Sequence, residues 1–291
     1  DAGRLDAWMR ACVNVATRPN WLFVKLHTHG VNEPNQDVLL GESMVRFHEA
    51  LKERAARDAL FRFHYVTARE MANIALAEAV LEPRATALLK PYLEAVRAQN
   101  PAGGLVHYPG SPLIVRHLLR NQDRLTAIEL HPEDAARLKS VFTGDFQTRV
   151  IELDGWLALG AQLPPKEKRG LVLIDPPFEE EGEFSRLVEG LLKARRRWPG
   201  GIYALWYPIK DRKAVTAFRA ALKETGIPKL LDIAFEIRPA SDEPSLDGSG
   251  LMVVNPPYTL EGELKVVLPA LHKALAVRPP SRWTLDWLAG E

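Results

Sequence analysis

The stretch Leu171-Val-Leu-Ile-Asp175-Pro176-Pro177-Phe178 brings together the groups needed to hold an exocyclic amine on a planar base. An apolar strand ends in an acid, two prolines and an aromatic. The Asp175 carboxylate and a proline backbone carbonyl can each accept a hydrogen from an NH2 group. The prolines fix the carbonyls and offer no competing N–H. The Phe178 ring can stack on the base. The plain alternative is a buried strand stopped by a turn, which a lone match of this kind does not exclude.

Two further acids stand in the same kind of place. Glu129 and Asp154 each fall where an apolar run gives way to a loop. In doubly wound sheets, ligands sit beyond the carboxyl ends of the strands. An acid at Glu129 can accept both ribose hydroxyls of a nucleoside. Asp154 can accept an adenine amine, and Gly155 lets the backbone approach the ring. Asp175 then faces the reacting group. That is the layout of S-adenosylmethionine-dependent methyltransferases. Each acid alone reads as a solvated strand end; three in order, followed by Pro-Pro-Phe, argue for a site. Asn255-Pro-Pro-Tyr258 is an equally good amine-binding motif by residue type, but it follows the last strand, far from the run of acids.

The elements that must position these residues alternate. Strands are predicted over 125–130, 148–153, 171–174, 201–207, 229–237 and 251–254. Helices are predicted over 112–120, 132–141, 183–197, 211–225 and 261–275. This alternation predicts a mostly parallel, Rossmann-like α/β sheet covered by helices on both faces. Upstream, residues 42–62 and 66–98 carry helical periodicity with a break at Glu82-Pro83. Residues 100–112 read as a loop, and 21–26 as a short strand entering His27-Thr28-His29-Gly30.

Composition adds exclusions. The 291 residues are 46% hydrophobic and 26% charged, with net charge +1, so no global basic field marks a nucleic-acid binder. The single cysteine, Cys12, excludes an internal disulfide or a cysteine-based zinc site and points to a reducing, cytoplasmic setting. No apolar run reaches membrane-spanning length. A monomer is expected. The first residue is Asp1 rather than Met, which points to a processed or trimmed chain or a fragment. The one dense basic run, Lys193-Ala-Arg195-Arg196-Arg197-Trp198, reads either as a phosphate contact or, preferably, as a solvated helix C-terminus favoured by the macrodipole. Trp206-Tyr207 reads as an RNA-stacking pair or as core.

Residues from about Leu81 to Leu275 resemble the bacterial 23S rRNA adenine-N6 methyltransferases of the RlmJ type. The resemblance rests on His107-Tyr-Pro-Gly-Ser-Pro-Leu113, Glu129-Leu-His-Pro132, Asp154-Gly155, Arg169 to Phe178, Gly201-Ile-Tyr-Ala-Leu-Trp-Tyr-Pro-Ile209 and Gly248 to Pro257. It implies that Ser111, Glu129, Asp154 and Gly155 contact S-adenosylmethionine. It implies that Asp175 binds both cofactor and target amine, with Pro176, Pro177 and Phe178 completing the base pocket. It implies 23S rRNA as partner.

The first 79 residues depart from that pattern. The family carries a strand running into Asp-Thr-His-Ala-Gly-Ala-Gly and a His-rich opening segment, and neither is present. Trp21 to Gly30 and Phe63 to Asn73 instead resemble, more weakly, the tail of polysaccharide-deacetylase-like proteins. Two parts are expected: a foreign piece over 1–79, and a methyltransferase domain over 80–291 with a helical segment at 80–100 and its core at 101–277. The strand 21–26 could fill the central slot of the sheet and bring His29 to the cofactor. His27 and His29, two apart on a strand, could instead be a metal pair, but no third ligand is identifiable and no metal is predicted. Three functions are in view: the methyltransferase, an inactive remnant that binds nucleoside or RNA, and a carbohydrate-related fusion.

Overall fold

Short apolar runs form seven strands among the residues that the computed structural model describes, which are 41–58, 61, 81–101, 107–239, 246–275 and 281–290. The chain divides into two compact units, Asp1–Val80 and Leu81–Glu291. In the first, helix α1 (Glu42–Arg57) buries Phe47 and Leu51, one helical turn apart, on one face.

The second unit runs α2 (Pro83–Ala98), α3 (Ser111–Leu118), β1 (Leu125–Glu129), α4 (Pro132–Val141), β2 (Thr148–Glu152), α5 (Gly155–Ala161), β3 (Leu171–Ile174), α6 (Glu183–Arg197), β4 (Ile202–Ile209), α7 (Arg212–Glu224), β5 (Leu230–Glu236), β6 (Gly248–Val254), α8 (Leu260–Leu275) and β7 (Arg282–Ala289). Pro83 opens α2 at its first turn, where its missing N–H costs nothing. The predicted strand at 21–26 and the predicted helical stretch over 66–80 lie outside the described residues.

The mixed α/β layering is as expected, but among the described residues the strands depart from one mostly parallel sheet in two respects. First, the described strands make two sheets, a parallel pair β1–β2 and a five-stranded sheet of order β3–β4–β6–β5–β7. Second, only β1–β2 and β3–β4 are parallel, while β6 runs antiparallel to β4 and β5, and β7 antiparallel to β5. The cause of the second lies in the connections: no helix is described between β5 and β6, and without a crossover the chain returns antiparallel.

The five-stranded sheet is a mixed α/β layer structure. Tyr203, Leu205 and Tyr207 of β4 point with Met252 and Val254 of β6 toward α6 and α7, whose Leu187, Leu191, Val215, Phe218 and Leu222 complete that core. Leu231 and Ile233 of β5 and Val253 of β6 face the other way, onto Leu268 of α8. The two-residue alternation of strand side chains makes both cores from the same strands. On β3, Val172 and Ile174 join the first core, but Leu171 and Leu173 are 60% and 44% exposed.

Four elements differ from expectation. α5 is too short to announce itself by periodicity. β4 continues through Pro208, a residue that argues against a strand interior. β6 begins at Gly248, in what reads as a loop, because Gly250 must pass under Tyr207: a Cβ there would stand 1.9 Å from the Tyr207 ring. β7 carries the sheet on to Ala289, past the expected core limit at 277. No helix among the described residues is long and apolar enough to cross a membrane.

Under Tyr207 lies a buried polar cluster. The Tyr207 hydroxyl donates to Asp232 Oδ1 at 2.6 Å, and Arg219 of α7 reaches Asp232 Oδ2 at 2.7 Å. Burial pushes both Tyr207 and Asp232 above their ordinary ranges, and the hydrogen bond and Arg219 pull Asp232 back. Asp232 is 1% exposed, so its charge depends on these partners. Removing one partner of a buried pair strands the other. Arg219→Ala is expected to cost about 3–5 kcal/mol, whereas Tyr207→Phe removes the hydroxyl that donates to Asp232 and accepts from Arg219 and costs about 1.5–3 kcal/mol. Urea unfolding midpoints check this, and an unchanged midpoint for Arg219→Ala would exclude the cluster as a stabilising element.

Candidate active site

Each acid singled out in the second unit sits at or just beyond the carboxyl end of its strand. Glu129 closes β1, and its Oε1 accepts from the His131 backbone at 2.9 Å. Asp154 follows β2 and caps α5, its Oδ1 accepting from the Trp156 backbone at 2.7 Å. This is a short-side-chain cap satisfying an orphan donor of the first turn. Gly155 is exposed, and nothing lies within 4 Å of where its Cβ would be. Ser111 is the first residue of α3, which packs on β1. Arg116 pins that helix to the turn before β2 through a two-pronged pair with Asp145, at 2.5 Å and 3.1 Å.

Asp175 leaves β3 exposed, Pro176 is buried, Pro177 is exposed and Phe178 is half-buried. Phe178 adopts φ +55°, a left-handed conformation that costs an aromatic residue energy and persists only where packing enforces it. The enforcing contacts are edge-to-face rings: Phe184 of α6 at 4.9 Å and Trp206 of β4 at 5.9 Å. Phe184 in turn packs on Phe218 at 5.0 Å, so the chain of rings reaches the buried core. Tyr207 is fully buried, which excludes it as an RNA-stacking residue.

The first turns of α6 touch both halves of the site. Phe184 holds Phe178. Arg186 lies over the Trp156 ring at 6.0 Å and bonds the buried Glu183 at 2.9 Å. The bond to Glu183 pushes the Arg186 guanidinium above its ordinary value, and the field of Asp154 adds to it. Trp156 packs closely on Gly190, where a Cβ would stand 2.8 Å from the ring. A cavity of about 200 Å3 remains between α5 and α6, lined by Asp154, Trp156, Arg186, Glu189, Gly190 and Lys193. Sequence reasoning missed Trp156, Glu183, Phe184 and Arg186. The available signal was Gly190, a glycine inside an amphipathic helix, which marks a close approach.

Asn255-Pro-Pro-Tyr258 stands at the other end of the sheet. β6 runs antiparallel to β4, with Val254 paired to Tyr203, so Asn255 falls beside the entry of β4. Its Nδ2 donates to the carbonyls of Pro199 and Gly201, at 3.0 Å and 2.8 Å, and clamps the turn before β4. The basic run Arg195 to Arg197 closes α6 at that same end. His29 lies outside the described residues.

A proline-stiffened loop after a parallel strand, with acids at the ends of two further parallel strands in a mixed α/β fold, points to a methyltransferase. The chain belongs to the family described as "Ribosomal RNA large subunit methyltransferase D, RlmJ", which matches residues 79–289. It is 42% identical over 203 residues to the Ribosomal RNA large subunit methyltransferase J of Escherichia coli (strain K12), covering 70% of this chain and 72% of that protein. It is 40% identical over 201 residues to the protein of the same name from Haemophilus influenzae, covering 69% and 72%. A crystal structure of a Legionella pneumophila protein superposes with a TM-score of 0.67 at 31% identity, covering 74% of this chain and 78% of that one.

Two outcomes test the positioning of Asp154 and Ser111. Gly190→Ala overpacks Trp156 and is expected to cost about 1–3 kcal/mol in thermal unfolding. Gly160→Ala meets only the flexible end of Lys193 and is expected to cost less. Equal costs would remove the close Trp156 contact as the cause. The second outcome concerns acid. Hydrogen bonding to Arg116 lowers the Asp145 pKa from its ordinary value to about 2. A lowered folded-state pKa gives stability that is present above the ordinary value and lost as pH falls through the folded one. The stability difference between the parent chain and Arg116→Gln is expected to hold at neutral pH and to vanish as pH drops from about 4 to 2.

Proposed function

We propose that the chain transfers a methyl group from S-adenosylmethionine to N6 of an adenine in 23S ribosomal RNA. The observation that carries this reading is Asp175-Pro-Pro-Phe178, held open at the end of β3 by packed rings. The relatives named above support ribosomal RNA as substrate. The strand orders β2–β1 and β3–β4–β6–β5 support reading the two sheets as halves of one Rossmann-like sheet. The family match from residue 79 and the second unit from Leu81 support residues 80–291 as the methyltransferase domain and 1–79 as a separate, foreign piece.

The residues fit the cofactor. Glu129 offers a carboxylate to a ribose diol. Asp154 offers one to an adenine amine, and the open space at Gly155 admits a ring against the backbone. Ser111 adds a hydroxyl at the start of α3. When bound, S-adenosylmethionine supplies an electrophilic methyl group. Asp175 and the Pro176 carbonyl accept the two amine hydrogens of the target base. An adenine amine is a weak nucleophile because its lone pair is delocalised into the ring. Drawing both hydrogens toward acceptors favours a more tetrahedral nitrogen with its lone pair directed. Pro177 and Phe178 wall the base. Alignment of this kind can lower a barrier by about 7–11 kcal/mol, and withdrawing the base from its stack costs a few kcal/mol, less in an unpaired loop.

A second reading, a chain that binds RNA without transferring methyl, draws on the separation of β1–β2 from the other sheet among the described residues and on the absent glycine loop. Calorimetric titration with S-adenosylmethionine, followed by methyl transfer to protein-free large-subunit RNA, separates the two. Transfer is expected, and Asp175→Ala or Asp175→Asn is expected to reduce it by at least about a hundredfold, on the scale of a lost site of transition-state stabilisation. Near-normal turnover by Asp175→Ala would sink the assignment.

A further inference from the structure

The far rung of the five-stranded sheet crosses four strands, pairing Ile209 with Gly248, Gly248 with Glu236, and Glu236 with Arg282. β3 leaves the sheet earlier, at Ile174 opposite Leu205. β4 therefore continues past the Asp175 loop to Ile209, a rise of about 13 Å at 3.3 Å per residue. The rung stands above the base-binding loop at the same end of the sheet.

Two buried acids hold arginines on this rung and just beyond it. Glu236, with its side chain 5% exposed, accepts from Arg212 of α7 and from Arg282 Nε at 2.6 Å. Asp247, 4% exposed, accepts from Arg238 Nε at 3.1 Å, and Arg238 also bonds the Leu246 carbonyl at 2.8 Å. The arginines themselves are 37%, 61% and 30% exposed, in the order Arg212, Arg282, Arg238. Three guanidiniums thus face two carboxylates. One arginine would neutralise Glu236, and it has two. A guanidinium carries five donors, and these acids take only one or two from each. The remaining donors, apart from the buried Arg212 Nε, are already oriented, so a phosphate that meets them loses less side-chain freedom than at a flexible lysine.

We propose that Arg212, Arg238 and Arg282 form a phosphate-binding crown that grips the RNA backbone flanking the target adenine. This inference rests on Asp175 being the amine site. Arg212 and Arg282 share the Glu236 carboxylate, so their guanidiniums lie close enough to serve one phosphate, and Arg238 follows directly on the same strand end. The dense run Arg195 to Arg197 cannot serve here, because α6 ends at the opposite edge, where Arg197 bonds the Leu163 carbonyl at 2.8 Å.

The cleanest variant is Arg282→Gln, because Glu236 keeps Arg212 and no buried acid is stranded. Arg238→Gln and the double variant extend the series, and Arg282→Lys restores charge alone. With the full chain, binding to protein-free large-subunit RNA is followed by fluorescence anisotropy across a salt series, and methyl transfer by steady-state kinetics. Each arginine removed is expected to raise KM for RNA about threefold and to make the slope of log affinity against log salt shallower by about 0.7–0.9. Turnover at saturating RNA and affinity for S-adenosylmethionine should stay within about twofold. Arg282→Lys should recover the salt slope, and Arg196→Gln should leave it unchanged. Methyl transfer with KM and salt slope unmoved in Arg282→Gln and the double variant overturns the crown while leaving the proposed reaction intact. No methyl transfer, together with weaker and less salt-sensitive binding in the same variants, upholds the crown and removes the reaction.

Discussion

The site depends on the first turns of α6. Trp156 can lie against this helix only because Gly190 has no side chain, and Arg186 closes over the same ring from one turn earlier. That contact ties α5, and with it the cap residue Asp154, to the helix that begins just after Asp175-Pro-Pro-Phe178. On its other side the same turn carries Phe184, which presses Phe178 into a left-handed backbone. One helix end therefore sets both the acid assigned to the cofactor and the loop assigned to the base. The strain at Phe178 is sustained by ring packing that runs through Phe184 to Phe218 in the core.

Charge is distributed by the same logic of buried anchors. Asp232, Glu236 and Asp247 are each almost fully buried, and each is held by arginines from elsewhere in the chain. Asp232 lies deep, and its cluster rigidifies the sheet beneath Tyr207. Glu236 lies on the last rung and Asp247 just beyond it, so their partners emerge at the same end of the sheet as the Asp175 loop. Burial makes the acids demand cations, and position decides whether those cations also meet a ligand. The opposite end of the sheet carries the densest basic run and the Asn255 clamp, neither of which faces the Asp175 loop.

β3 shows how much a sheet depends on its neighbours. Its Leu-Val-Leu-Ile run has the character of a strand covered on both faces. Val172 and Ile174 pack against the first core, while Leu171 and Leu173 remain open. The parallel pair β1–β2 and the β3 edge are linked among the described residues through α5 and α6 rather than by a shared strand. The helical layer thus carries a junction that, in a continuous parallel sheet, backbone hydrogen bonds would carry.

Much of this was readable from local pattern. Apolar runs bounded by Gly, Pro and Asp placed β1, β2, β3 and β5 to within a residue or two, and helical periodicity placed α4 and α6. The acids at Glu129, Asp154 and Asp175 could be picked out because strand ends are legible from where hydrophobicity stops. Residue order along the chain also separated Asp175-Pro-Pro-Phe from Asn255-Pro-Pro-Tyr. Other features depended on contacts between distant segments. β4 runs through Pro208 and β6 begins at Gly248 because Tyr207 needs the space at Gly250, a constraint between residues more than forty positions apart. The antiparallel return of β6, the edge strand β7, and the meeting of Arg212 with Arg282 on Glu236 follow from topology alone. By itself, the sequence determined the residue types and the strand ends that carry them, because those are set by local hydrophobicity and turn chemistry. Only the tertiary structure decided which end of the sheet each motif faces and which charges meet, because strand direction and burial arise from long-range packing that no local window contains.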